Sequence, residues 1–219
     1  MEQRCSIFFI HKRNMTDNFA TKAADWDNNN PRMVMIQKFI SEIETRGTIN
    51  DQTHLLDFGC GTGLVGLHFV EKVGKLTLVD NSPAMIEVLR TKIIENSYTN
   101  TEVVEGTIED SLEKESITLI VASMSVHHVD DIPHLINHFH KRLAKNGKVI
   151  ISDLYKEDGS FHFPDVVPQN GFDMDTLQSQ FAEADFTVEH ISNYHTMNRE
   201  ISTGEKKSFP LFVLVARKN

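Results

Sequence analysis

The feature that most constrains this chain is the alternation of short apolar runs with helical patterns between residues 54 and 154. The runs at 54–58, 75–79, 101–104, 116–122 and 148–154 have strand length, and glycine or polar turn residues bound them. Between them, residues 64–73, 83–96 and 132–145 carry helix-like spacing, with Pro83 at a first-turn position and Asn146-Gly147 as a stop. Strands that alternate with helices predict βαβ units and a parallel sheet, and right-handed crossovers place helices on both faces. A helix is also expected over 33–46, with Val34, Ile36, Phe39, Ile40 and Ile43 on its apolar side and Gly47 after it. The tail departs from the alternation. A helix over 174–184 is followed by two strand patterns, 186–192 and 209–216, with no helix between them, which predicts an antiparallel pair closing the sheet. The fold class is therefore α/β, a mostly parallel seven-stranded sheet. Ligands of such sheets lie outside the strand carboxyl ends, where the strand order reverses.

Composition narrows the function classes. The 219 residues suit one domain, and 40% hydrophobic with 24% charged residues is ordinary for a globular chain. A net charge of −9 offers no global footprint for nucleic acid, and no apolar stretch is long enough for a transmembrane helix. Two cysteines, Cys5 and Cys60, point to a reducing, cytoplasmic setting. Residues 1–14 hold an apolar run too short for a secretory core, with a weak organelle-targeting flavour from Arg4, Lys12 and Arg13. They are expected to be a disordered, dispensable leader.

The chemistry concentrates at Leu55-Leu56-Asp57-Phe58-Gly59-Cys60-Gly61-Thr62-Gly63, a glycine loop between a strand and a helix. Its glycines allow a tight turn and close approach of backbone to a ligand. Asp80 ends the next strand, where a carboxylate can accept hydrogen bonds from a ribose diol; the alternative is a helix cap before Pro83. Two cofactors compete for such a loop. A dinucleotide wants G-x-G-x-x-G, which Gly59-x-Gly61-x-x-Leu64 fails and Gly61-x-Gly63-x-x-Gly66 meets only late in the loop. Asp57 would also face a pyrophosphate with like charge. S-adenosylmethionine has no phosphate and presents an α-amino group, so local charge favours the methyl donor; for Asp57 the alternative is bracing of the loop. Cys60 reads as a small filler rather than a catalytic thiol, since no histidine is placed by sequence to activate it.

These residues resemble the class I S-adenosylmethionine-dependent methyltransferases, specifically the small ubiquinone/menaquinone-biosynthesis-like group. The matching pieces are LLDFGCGTG from Leu55, LVDNSPAM from Leu78, GTIED from Gly106, ITLIVASMSVHHV from Ile117 and LAKNGKVIISD from Leu143. They occur in the right order across roughly residues 19–155. The resemblance implies a Rossmann-like, doubly wound domain over 15–219. Residues 15–46 would cover the cofactor and residues 156–172 would form an acceptor-side insertion. It implies that Gly59, Cys60, Gly61 and Gly63 wrap the methionine part of S-adenosylmethionine, with Asp57 near its amino group. Asp80 would hold the ribose with Asn81 beside it, and Met85 would pack on adenine or serve as helix core. The acid that often binds the adenine amino group is replaced here by Thr107, so that contact falls to Glu109 or to backbone at Ile108, with Asp110 just after. Ser123 would contact the cofactor through its backbone. Phe19 and Trp26 are candidates for a lid, and Arg32 either pairs with the cofactor carboxylate or is solvated.

Methyl transfer is an in-line displacement on an already activated donor, so alignment supplies much of the catalysis. A base is needed only if the acceptor must lose a proton. His127 and His128 follow the fourth strand at the sheet's carboxyl edge and are the candidate catalytic residues, although the resemblance equally places His128 against the cofactor. Asp153 and Tyr155 could line the acceptor pocket. No metal is expected: His134 and His138 share a helix face at i,i+4, but no Glu or Cys on that helix completes a zinc set. The segment 156–172, with Phe161, Phe163, Val166 and Val167, is the expected acceptor surface. The partner is then a small-molecule methyl acceptor. The competing readings are a protein methyltransferase, a non-catalytic cofactor-binding module and a nicotinamide-dependent reductase.

Overall fold

A computed structural model of the chain describes residues 23–109, 116–201 and 203–219. The expected leader, Phe19, Cys5 and Asp110 lie outside the described residues. The described residues form helices α1 (Asn30–Arg46), α2 (Pro83–Glu95), α3 (Ile132–Arg142) and α4 (Met174–Glu183), and strands β1 (His54–Phe58), β2 (Lys75–Asp80), β3 (Thr101–Glu105), β4 (Ile117–Ser123), β5 (Leu143–Leu154), β6 (Phe186–Glu200) and β7 (Lys206–Lys218). Each helix opens on a side-chain cap. Asn29, Ser82, Asp131 and Asp173 accept the backbone N–H of Arg32, Met85, His134 and Thr176, satisfying a first-turn donor that has no helical partner.

The seven strands form one sheet in the order β3-β2-β1-β4-β5-β7-β6. All pairings from β3 to β5 are parallel, and β7 runs antiparallel to both of its neighbours. This is a Rossmann-like α/β fold. Strand order reverses between β1 and β4, which brings the ends of both strands to the crevice where ligands of such sheets bind. Side chains alternate between two cores. Leu55, Phe39, Ile43, Phe69, Leu78 and Val213 share one; Leu56, Phe139, Ile151, Phe181 and Phe212 share the other. Burial on both faces is why the central strands read as continuous apolar runs.

Several boundaries differ from the sequence expectation. On α1 the buried set includes Met35 rather than Val34, which is half exposed. The helix expected over 64–73 is a 3-10 helix, Gly66–Lys72; Gly63 stands at φ +84° and Gly66 starts the segment, and glycine is a poor helix former. Helix α3 stops at Arg142 rather than running to 145, because Leu143 pairs with Ile117 in the sheet. Residues 144–147 then bulge, with Asn146 at φ +62°, before Lys148 pairs with Leu119. The closing hairpin is much longer than 186–192 and 209–216, because polar residues 193–200 continue as an edge strand whose outer face needs no apolar residues.

Lys218 closes this arrangement from the far end of β7. Its buried ammonium donates to the carbonyls of His140 and Leu143 at 2.8 and 2.9 Å, where α3 gives way to β5. Lys218→Met is expected to leave those acceptors without that donor and cost about 2 kcal/mol, roughly 4–8 °C in Tm by calorimetry. An unchanged Tm would show that the tie contributes nothing.

Candidate active site

The glycine loop is tied to β2 at each step. The N–H groups of Gly59 and Cys60 both donate to the carbonyl of Val79, at 2.8 and 3.0 Å. The N–H of Gly61 donates to Asp80 Oδ2 at 2.7 Å, and Ser82 N–H donates to Asp80 Oδ1 at 2.9 Å. Asp80 thus stands at the mouth of the loop, while the helix cap itself is Ser82. Gly59, Gly61 and Gly63 all have positive φ, so the loop's course depends on glycine.

Asp57 lies beneath the loop. It is almost fully buried and accepts the Gly66 N–H at 2.8 Å. It therefore braces the loop, one of its two expected roles. Burial pushes its carboxyl up to about 7; the Gly66 N–H opposes this and the nearby Asp80 charge adds to it. The buried Cys60 thiol is pushed up too, by burial and by Asp57 and Asp80, which fits a filler and not a nucleophile.

Trp26 and Met85 complete this side. The direction a Cβ would take from Gly61 points at Trp26 Nε1 and Met85 Sδ, 3.8 and 3.9 Å away. Trp26 comes from a short 3-10 helix, Ala23–Asn28, held to the loop by Asp27, which accepts from Thr62 Oγ1 at 2.6 Å and pairs with Lys92. Arg32 is half-buried against Trp26. Its guanidinium lies 3.6 Å from the Trp26 ring centroid and donates to the Trp26 carbonyl at 2.6 Å. Met85 is buried, so it belongs to both the helix core and the loop. Asn81 is exposed beside Asp80. Gly106 N–H donates to the Asp80 carbonyl at 2.9 Å, bringing the end of β3 next to this group.

Beyond Gly106 the chain turns toward α3. Thr107 is exposed and Ile108 buried. The Glu109 carboxylate accepts from His134 Nε2 at 3.0 Å and lies 3.7 Å from His138 Nε2. Arg142 donates to the carbonyls of Ile108 and Glu109. The acid missing from the His134/His138 helix face is thus supplied from across the sheet edge, and Glu109 is engaged there.

A second group of polar side chains gathers at the ends of β4 and β5. Ser123 ends β4 beside Ser152. Met124 takes φ +52° and Ser125 Oγ donates to the Phe58 carbonyl at 2.9 Å, turning the chain into a short 3-10 segment, Val126–His128. His127 is buried there, with Nδ1 2.7 Å from Asp153 Oδ1 and its backbone N–H on Asp153 Oδ2. Because a carboxylate only accepts, Nδ1 carries the hydrogen, and in the ring's neutral form the lone pair is on Nε2. That Nε2 is buried without a hydrogen-bond partner. The exposed ring of His128 lies 4.2 Å from that of His127, centroid to centroid.

A third histidine, not singled out by sequence, joins them. His162 comes from the segment 156–172, its ring 4.7 and 5.4 Å from those of His127 and His128. Burial, with the neighbouring histidines and Arg199, lowers its ring to about 4. Its Nε2 is also buried without a partner. The signal available in the sequence was a polar ring between Phe161 and Phe163 in a segment expected to line the acceptor site. Backbone bonds fix that segment: Gln169 N–H donates to the His127 carbonyl and Lys156 N–H to the Phe172 carbonyl. The hairpin tip holds its middle through Arg199, which donates to the Phe161 carbonyl and lies over the Phe161 ring, and through Lys207 on Asp158 and Ser160. Phe161 is buried, whereas Phe163 and Val166 are exposed. The half-buried Tyr155 packs edge-on against Phe212.

Known proteins share this architecture. The chain is 29% identical over 148 residues to malonyl-[acyl-carrier protein] O-methyltransferase 1 of Ilyobacter polytropus, covering 65% of this chain and 53% of that protein. It is 29% identical over 113 residues to trans-aconitate 2-methyltransferase of an Enterobacter species, covering 51% of this chain and 43% of that one. It spans about half the length of these curated relatives. Among solved structures, a SAM-dependent methyltransferase from Aquifex aeolicus superposes with a TM-score of 0.68 at 14% identity, over 91% of this chain and 98% of that one. The YcgJ protein of Bacillus subtilis gives 0.68 at 18% identity, over 84% and 98%. These superpositions are likenesses of fold. A family model described as a methyltransferase domain matches residues 29–191, from the cap of α1 into β6, and the chain belongs to that methyltransferase family.

Proposed function

We propose that the chain transfers a methyl group from S-adenosylmethionine to a small-molecule acceptor. The observation that carries this reading is the pair of acids at the glycine loop. Asp57 is buried under it and Asp80 stands at its mouth, its charge adding to the cost of ionising Asp57. Two carboxylates so placed disfavour a pyrophosphate and favour a cationic ligand. Trp26 and Met85, meeting above Gly61, supply a surface for an uncharged ring system. The residues present therefore fit the donor. When bound, S-adenosylmethionine supplies a methyl group already activated on a sulfonium.

In this reading the backbone of Gly59, Cys60 and Gly61 borders the amino-acid end, with Asp57 as the negative charge below it. Asp80 exchanges its Gly61 and Ser82 hydrogen bonds for ribose hydroxyls, with Asn81 beside it. Trp26, Met85 and backbone at Thr107 and Ile108 border the base, with Ser123 at the end of β4. Glu109 is held by His134. Residues 23–46 cover the donor, and residues 156–172 cover the acceptor. His127 and His128 act on the acceptor, since the donor needs no further activation. Trans-aconitate in a relative's name supports a small acceptor. The buried, unpaired Cys60 is in keeping with a cytoplasmic setting. Among the described residues no helix is long and apolar enough to cross a membrane.

Calorimetric titration with S-adenosylmethionine and its demethylated product tests the proposal. Micromolar binding is expected, about −8 kcal/mol, with at least a hundredfold loss in Asp80→Ala. A folded chain that binds neither compound but binds a nicotinamide dinucleotide would replace this reading with the reductase.

A further inference from the structure

Three imidazoles converge on the acceptor side, and a single proton acceptor would need only one. His127 comes from the turn after β4, His128 follows it, and His162 comes from the segment after β5. One ligand nitrogen from each lies within 4.8 Å of the other two. Asp153 orients the most buried ring of the set, His127. Its Oδ1 takes the hydrogen of His127 Nδ1 at 2.7 Å, so in the neutral ring the lone pair is on the opposite nitrogen. Asp153 also accepts the backbone N–H groups of His127 and Leu154, so its position is set by the sheet. A buried carboxylate that orients an imidazole in this way is the usual second layer of a metal centre.

The unpartnered atoms point the same way. His127 Nε2 and His162 Nε2 are both buried without hydrogen-bond partners. Burying a polar nitrogen unmatched costs on the order of 1–3 kcal/mol, and buried orphans in folded proteins usually have a purpose. Here two occur in one cluster of three rings. His128 remains exposed, which leaves an approach from solvent.

We propose that His127, His128 and His162 bind one divalent ion of the zinc class, with Asp153 as the orienting carboxylate. Imidazole nitrogen suits zinc among the divalent ions, and three histidines leave a fourth position of the kind found in catalytic sites. In the proposed function this cluster borders the acceptor, so the ion would take an oxygen or sulfur donor of the acceptor there. The assignment of the acceptor side rests on the function proposed above; the ion site itself does not.

A second cluster, Glu109, His134 and His138, could also take up metal at the surface, so the test removes it first. The full chain carrying His134→Ala and His138→Ala is titrated with zinc chloride by calorimetry, and with cobalt(II) chloride by visible absorption. One equivalent is expected, with the absorption of a four-coordinate nitrogen-rich site. His128→Ala and His162→Ala, made in that background, are each expected to lower affinity at least tenfold, and Asp153→Asn by about 10–100-fold. The exposed His128 is the safest variant for folding, and circular dichroism on every sample identifies any that fails. No binding by a folded chain, or affinity unchanged in either His128→Ala or His162→Ala, overturns the site. Titration of the same samples with S-adenosylmethionine reports separately on the donor reading.

Discussion

Gly59→Ala is expected to lower the unfolding free energy by about 3 kcal/mol or more and to abolish donor binding. Two costs add. Gly59 holds φ +66°, a left-handed conformation that costs an L-residue roughly 1–2 kcal/mol. A Cβ at this position would also stand 2.3 Å from Ser125 Cβ and 2.8 Å from Ser125 Oγ. Something must move, and Ser125 is pinned by its hydrogen bond to the Phe58 carbonyl. The displacement therefore spreads to the turn that carries His127 and His128. Urea unfolding of Gly59→Ala, Ser125→Gly and the double variant separates the two costs. The double variant should recover more than half of the loss and leave the conformational part. No recovery would mean that the glycine loop and the histidine turn are not sterically coupled.

The second large effect is a pH dependence set by Asp57. Its carboxyl is raised to about 7 in the folded chain, above the ordinary carboxylate range of the unfolded one. Below about pH 4 it is protonated in both states and its contribution to stability is fully present. As pH rises from there through 7 the folded state holds the extra proton, so stability falls; above 7 the loss is complete. Taken alone the effect is at most about 4 kcal/mol. Asp57→Asn keeps an acceptor for the Gly66 N–H and removes the charge. The variant should be more stable than the natural chain at pH 8 and match it near pH 4. Comparing the two chains cancels groups of opposite sign, such as Glu109 and Glu189, whose carboxyls are lowered. A cationic donor should draw the proton off. Binding near pH 6.5 should then release protons, read as a heat that differs between buffers, and this release should vanish in Asp57→Asn. Parallel stability curves for the two chains would remove the raised carboxyl from the account.

The parts of the fold legible in the sequence are those whose constraints are local. The central strands must be apolar on both faces, so HLLDF and SITLIVA read as strands without help. Helix starts were legible because a capping residue and a proline stand together, as at Ser82-Pro83. Strand β6 was cut short because its outer half is polar, and an edge strand's side chains need not be apolar. The same split governs the site. Asp57, Gly59, Gly61 and Asp80 lie in two short motifs that the β1–β2 register brings together. The His127–Asp153 pair spans 26 residues and exists only because Ser123 sits opposite Ser152 in the β4–β5 ladder. His162 reaches the cluster through a segment whose course is set by backbone bonds to other parts of the chain, such as Gln169 to His127. No spacing rule in the sequence encodes that return.

The grip of the β6–β7 hairpin tip on Phe161, Asp158 and Ser160 has a consequence for descent. In the proposed function the acceptor side lies downstream of β4, where the strands β5, β6 and β7 pair with neither β2 nor β3. The donor loop and its acids lie upstream. A lineage can therefore lengthen, shorten or recolour the hairpin and the segment it holds, and so change which molecule is recognised, while the upstream half stays intact. Duplicated copies would diverge first downstream of β4, and a chimaera joined directly after Ser123 should keep its donor and inherit a new acceptor.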